Sequence, residues 1–348
     1  MTPPTDHGVD STSGRTVQRW SRAQIGLACA AAAVLMAMVV VPLVLAFTGD
    51  DSASGGQPDP AGPPGWPSVR PVSDSESTAT PAVHIGPQGR VVQFVATCAH
   101  THSAPDDPIV LPGRPGASHM HDFYGAIGVD AYTYPDSMLA SDTSCNKEAD
   151  RAAYWHPTLY DHGEPVTPVD LTAYYRPAPG VDARDVETIP LGMALIAGDM
   201  TSTVPQEGDA VGWTCGVRDQ RLDDPPVCPV SAPLHLVLTF QDCWDGQYLD
   251  SVDHRSHAAY STDGVCPDSH PVHIPQLTVT VGFPIHGDGH DLSLASGSVY
   301  SLHGDFFNGW EPDGLWREIT SCIHREVVCN LRANRAEPTI LDGSESTG

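Results

Sequence analysis

His119 and His121 are separated by one residue, and so are His303 and Asp305. On an extended strand, residues two apart point to the same side, so each pair aims two donors at one spot. A third cluster of the same chemical type, Asp253-His254-Arg255-Ser256-His257, lies between them in the chain. Neutral imidazoles bind zinc and copper well, and three or four converging donors complete a divalent site. His119, His121 and His303, with His257 or its neighbour His254, form such a set. Asp122, Asp253 and Asp305 would then bind the ion or hold an imidazole by its other nitrogen. The same residues also support acid–base chemistry without a metal, either as the paired carboxyls of a glycoside hydrolase or as the base and acid of a lyase. A third reading makes them hydrogen-bonding partners in a polar, loop-rich core. Spacing along the chain does not decide among the three. Serine nucleophilic catalysis is the weakest of the catalytic readings, because there is no Gly-x-Ser-x-Gly and Ser118 lacks a strand-turn-helix context.

The elements that must position these residues read as strands. Arg90 to Ala96, Leu191 to Ala197, Leu234 to Phe240 and the series Leu277, Val279, Val281, Phe283 alternate or concentrate β-formers. Only Leu315 to His324 shows helical spacing, through Leu315, Ile319, Cys322 and Ile323. The 32 glycines and 33 prolines punctuate the rest. The expectation is a mainly β domain, a β-sandwich or jelly-roll with long loops and one or two short helices. Trp155 and Trp316 are expected in its core, while Trp244 and Trp310 are left open between packing and stacking on a sugar.

The 23 residues from Ile25 to Phe47 carry no charge and follow Arg15, Arg19 and Arg22. That length crosses a ~30 Å hydrocarbon core as a helix, and the arginines orient it with its C-terminal side outside. A cleaved signal peptide is the rival reading. The expected organisation is a disordered cytoplasmic tail (1–24), a transmembrane signal-anchor (25–47), a Pro/Gly/Ser-rich stalk (48–84), an extracellular domain (85–335) and a flexible tail (336–348). Beyond Cys29 in the apolar run, eight cysteines remain, an even number that reads as disulfides in an oxidising compartment. Short loops favour the sequential pairing Cys98–Cys145, Cys215–Cys228, Cys243–Cys266 and Cys322–Cys329. With 17 Lys and Arg against 43 Asp and Glu, and Lys147 the one lysine, the chain offers no basic surface to nucleic acid.

Several longer motifs carry a resemblance. Asp107-Pro108-Ile109-Val110 with the run from Pro112 to Phe123, then Tyr154 to Tyr160, Cys243-Trp244-Asp245-Gly246, Asp253 to His257, Cys266 to Pro271 and His303 to Asn308 occur in order. Together they resemble an exported bacterial and fungal family known as domain of unknown function nineteen-ninety-six, over about Val91 to Cys329. The resemblance implies no particular activity. One departure is Phe123-Tyr124-Gly125-Ala126, where the family reads Phe-Phe-Gly-Asn. The expected function is a membrane-anchored extracellular protein whose His/Asp site, with zinc or copper as its candidate cofactor, acts on or binds a carbohydrate, with an extracellular polysaccharide as partner. The alternatives are a non-catalytic carbohydrate-binding or adhesion module and a copper- or zinc-handling surface protein.

Overall fold

In the stretch from Leu234 to Phe240, Leu236 and Leu238 are buried on one side of a strand while His235 and Thr239 face the other. Leu171–Arg176 shows the same alternation in burial, whereas His121–Gly125, Ala153–Pro157 and Gln276–Gly282 are buried on both faces. The computed structural model describes residues 85–86, 90–216, 221–327 and 329. The tail 1–24, the apolar run 25–47, the stalk 48–84 and the tail 336–348 lie outside the described residues. No helix among the described residues is long and apolar enough to cross a membrane.

In chain order the principal strands are β1 (Phe94–Cys98), β2 (His100–Ala104), β3 (His121–Gly125), β4 (Ala153–Pro157) and β5 (Leu171–Arg176). They continue with β6 (Ala194–Gly198), β7 (Val211–Thr214), β8 (His235–Thr239), β9 (Gln276–Gly282) and β10 (His303–Phe307). They make two five-stranded sheets, ordered β6-β10-β4-β3-β2 and β7-β8-β9-β5-β1, with antiparallel neighbours throughout. The chain changes sheet repeatedly, so neither sheet is a simple meander.

One core joins the two sheets. Phe94, Tyr175, Leu236, Leu238, Leu277 and Val279 from the second sheet share a buried cluster with Tyr124, Tyr154, Leu195 and Phe306 from the first. Burying each such side chain stabilises the fold by roughly 1.5–3 kcal/mol. Gly304 of β10 allows the close approach, because a Cβ there would collide with Leu238. The opposite face of the first sheet is buried too. Phe123, Trp155, Ala194 and Ile196 form a second cluster with Ile109, Val129 and Met138, which belong to the long connections after β2 and β3. That covering layer encloses the polar residues described below.

The eight cysteines pair as Cys98–Cys145, Cys215–Cys228, Cys243–Cys266 and Cys322–Cys329. The mainly β expectation therefore stands, with few short helices: α1 (Pro135–Leu139) and α2 (Pro312–Glu318), the latter running into a π-helical turn, Ile319–Ile323. The helix begins three residues before the expected Leu315 because Pro312, which lacks an N–H, is tolerated in a first turn. Trp155, Trp213 and Trp310 are fully buried, whereas Trp316, expected in the core, is half-buried with its ring edge-on to His324.

Candidate metal centre

His121 opens β3 and His303 opens β10, and pairing register brings them to the same end of the first sheet. His121 stands opposite Pro157 on β4, and Asp305 stands opposite Trp155 two residues earlier on that strand. His303, two residues before Asp305 on the same face, is therefore level with Pro157. The two imidazoles meet above that proline with ring centroids 5.8 Å apart. His119 precedes β3 and is not part of it. It is brought in because the connection after β2 folds back on itself. Ser118 N–H donates to Pro105 O at 3.0 Å, and Asp106 Oδ1 accepts from Gly116 N–H at 2.7 Å. The His119 ring then lies 4.2 Å from that of His121 and 5.0 Å from that of His303.

The orientation of the rings is held from outside the cluster. His121 Nδ1 donates to Asp106 O at 2.9 Å, and His303 Nδ1 donates to Ser301 O at 2.8 Å. Each ring therefore carries its proton on Nδ1 and turns Nε2, with its lone pair, inward. His119 Nε2 and His303 Nε2 are 3.2 Å apart. One ligand atom from each of the three histidines lies within 4.8 Å of the others, and the same holds for Asp107, His121 and Asp305. His121 and His303 are fully buried, and His119 is half-buried.

Several buried polar atoms here have no hydrogen-bond partner: His121 Nε2, Asp107 Oδ2 and both oxygens of Asp305. Leaving one such group unpaired costs roughly 1–3 kcal/mol, so four at one place call for an ion or water among them. Burial pushes the His303 imidazole down to about 3 and that of His119 below its usual range. Burial also holds His121 well below that range, with His119 and His303 adding to it. All three are thus neutral donors near pH 7. Burial and the neighbouring Asp107 push Asp305 well above the usual carboxylate range, and burial raises Asp107 as well.

The family described as "Domain of unknown function (DUF1996)" matches residues 107–310, more than half of the chain and the whole of this cluster from Asp107 to Asp305. The chain belongs to the DUF1996 family. No match to a curated protein or to a solved structure was found.

Within this DUF1996 domain, the other residues singled out from the sequence are placed apart from the cluster. Asp122 alternates to the opposite face of β3, where its Oδ1 accepts from Ser103 Oγ at 2.5 Å and lies 3.4 Å from His100 Nε2. Burial alone would raise its pKa, but His100, His156 and Ser103 together hold it below the usual carboxylate range. His257 is not available as a ligand, because Nε2 is bonded to Ala194 O at 2.6 Å and Nδ1 to Ser251 Oγ at 2.9 Å. Asp253 is an exposed turn former whose Oδ1 accepts from Ser251 Oγ, Arg255 N–H, Ser256 N–H and Ser256 Oγ. His254, at the positive φ of 58° in that turn, is bonded through Nδ1 to Asp250 at 2.8 Å and lowers the pKa of Asp107 from a distance.

Two participants were not among the expected site residues. Asp107 was legible as the first residue of the family motif but had no neighbouring histidine to mark it. Arg255 donates to Ile196 O and Gly198 O on β6 and is the cation whose field reaches Asp305 and His303.

Proposed function

We propose that His119, His121 and His303 hold one divalent cation, zinc or copper, and that this centre acts on an extracellular carbohydrate. The observation that carries the reading is that one ring nitrogen from each of the three histidines lies within 4.8 Å of the others, beside an unpartnered buried carboxyl. Zinc–nitrogen bonds of ~2.0–2.1 Å in a tetrahedron place two ligand nitrogens about 3.3 Å apart. The His119 to His303 separation of 3.2 Å fits that spacing. A cation would also compensate the Asp305 carboxyl, whose two oxygens have no hydrogen-bond partner and which Arg255 reaches only through its field.

Three protein ligands leave a fourth position for water or substrate, the arrangement typical of catalytic sites. A bound metal lowers the pKa of such a water to about 7. Asp305 and Asp107 stand beside His121 and would hold such a water by hydrogen bonds. His119, half-exposed, marks the side from which substrate arrives. The carbohydrate rests on the exported reading of the chain, with its even external cysteines and its run Ile25 to Phe47, and on a net charge of −26 that disfavours polyanions.

The test is metal content and turnover of the purified full chain. About one equivalent of zinc or copper is expected, lost in His121→Ala, together with release of soluble sugar from a panel of wall polysaccharides that chelation stops and the same metal restores. A chain that binds neither metal in stoichiometric amount sinks the centre. Metal binding with no turnover on any polysaccharide sinks the enzymatic reading and leaves a metal-handling protein.

A further inference from the structure

The outer face of the second sheet carries a cleft of about 1100 Å³ to which none of the metal-centre residues contributes. Its floor is built where β5, β9 and β8 lie side by side. There Arg176 pairs with Gln276, and Thr278 pairs with Thr239. A ladder of polar side chains crosses these strands: Arg221 Nη2 donates to Thr239 Oγ1 at 2.9 Å, Thr239 Oγ1 is 3.4 Å from Thr278 Oγ1, and Arg176 Nη2 reaches Thr278 Oγ1 at 3.5 Å. Arg221 packs closely over Gly212, where a Cβ would stand 3.0 Å from Arg221 Cβ. On the wall, Tyr260 donates its hydroxyl to Thr239 O at 2.8 Å, which fixes a ring that remains 39% exposed.

We propose that this cleft binds a neutral oligosaccharide. Arg176 and Arg221 bring planar donors, while Glu207, Asp209 and Asp263 bring acceptors, so the lining alternates the two kinds of group that vicinal hydroxyls satisfy. Two cations against three carboxylates leave the lining slightly negative, which argues against a phosphate- or uronate-bearing ligand. Tyr260, 39% exposed and held through its hydroxyl, supplies an aromatic ring against which a sugar can pack. A volume of about 1100 Å³, at the upper end of the ~300–1,000 Å³ typical of small-ligand pockets, has room for more than one sugar unit. The segment from Arg255 to Tyr260 links the two sites, since Arg255 is bonded to β6 beside the metal centre and Tyr260 lines the cleft. The proposal rests on the extracellular-carbohydrate part of the function above and not on the metal.

The test is calorimetric titration of the full chain in detergent with hexasaccharides of β-1,4-glucan, β-1,3-glucan, β-1,4-xylan and mannan, and with a polygalacturonate hexamer as the acidic arm. At least one neutral hexasaccharide should bind. Tyr260→Ala and Arg221→Met should each weaken it tenfold or more, while Tyr260→Phe stays within about threefold and shows that the ring, not a folding defect, is being read. His121→Ala should bind as the unaltered chain does, which separates failure of the metal centre from failure of the cleft. The proposal is overturned if no neutral hexasaccharide binds, if the acidic hexamer binds tighter than all of them, or if His121→Ala removes binding and Tyr260→Ala does not.

Discussion

Asp305 is 1% exposed, and neither carboxyl oxygen has a partner. Its place in the cluster was legible as a two-residue spacing from His303, a property that survives folding because β10 is a regular strand. Asp122, adjacent to His121, failed the same logic by one residue: alternation sends it to the other face. His257 and Asp253 were of the right chemical type, but type says nothing of which hydrogen bonds a loop will make with its own backbone. A residue that belongs to neither site makes a test at this scale. Asp150 is buried, accepts from Tyr154 Oη at 2.9 Å, and is pushed up to about 7, chiefly by burial. Its folded pKa lies above its unfolded value near 3.8, so the folded state holds the proton more tightly. The stability it contributes is full below about pH 4 and is lost as pH rises through about 7, at up to roughly 1.4 kcal/mol per pH unit. Denaturant melts of the unaltered chain and of Asp150→Asn should show their difference in stability shrinking from pH 4 to 7 and level above about 8. A difference independent of pH in that window would mean Asp150 does not titrate there.

At the scale of elements, strands with clean alternation were legible within one to three residues: Leu234 to Phe240 is β8, and Leu277 to Phe283 is β9. Which strands pair was not, because β1 and β9 both flank β5 from distant parts of the chain and periodicity carries no partner. The return of His119 toward His121 was equally hidden, since it depends on a fold-back held by Asp106 and two glycines of positive φ, Gly113 and Gly116. That fold-back lies inside the loop closed by Cys98–Cys145, which spans 47 residues and includes β2 and β3. Loop-closure entropy assigns this bond about 4 kcal/mol, against about 2.4 kcal/mol for the seven-residue loop of Cys322–Cys329. Replacing Cys98 and Cys145 together by Ala should therefore cost more stability in guanidinium melts than replacing Cys322 and Cys329. It should also weaken metal binding, which the other pair should not. Equal losses, or the reverse order, would show that local packing and not loop closure sets the value of these bonds.

At the scale of the whole molecule, charge and topology point the same way. Lys147, the one lysine, is 3% exposed and paired with Glu318 at 2.6 Å, so the surface presents only arginines against a large excess of acids. Such a surface is repelled by anionic lipid headgroups. We propose that attachment to a membrane comes instead from the run Ile25 to Phe47, and that 48–84, with seven prolines from Pro58 to Pro81, serves as a stalk. Arg15, Arg19 and Arg22 would keep the short N-terminus inside. The stalk contains a single glutamate, Glu76. A glutamyl endopeptidase added to intact cells should cut there and release the disulfide-bonded domain whole into the medium. If the domain stays protected while an N-terminal tag is removed, the orientation is inverted. If it is already in the medium before protease is added, the apolar run is a cleaved signal and the anchor is wrong.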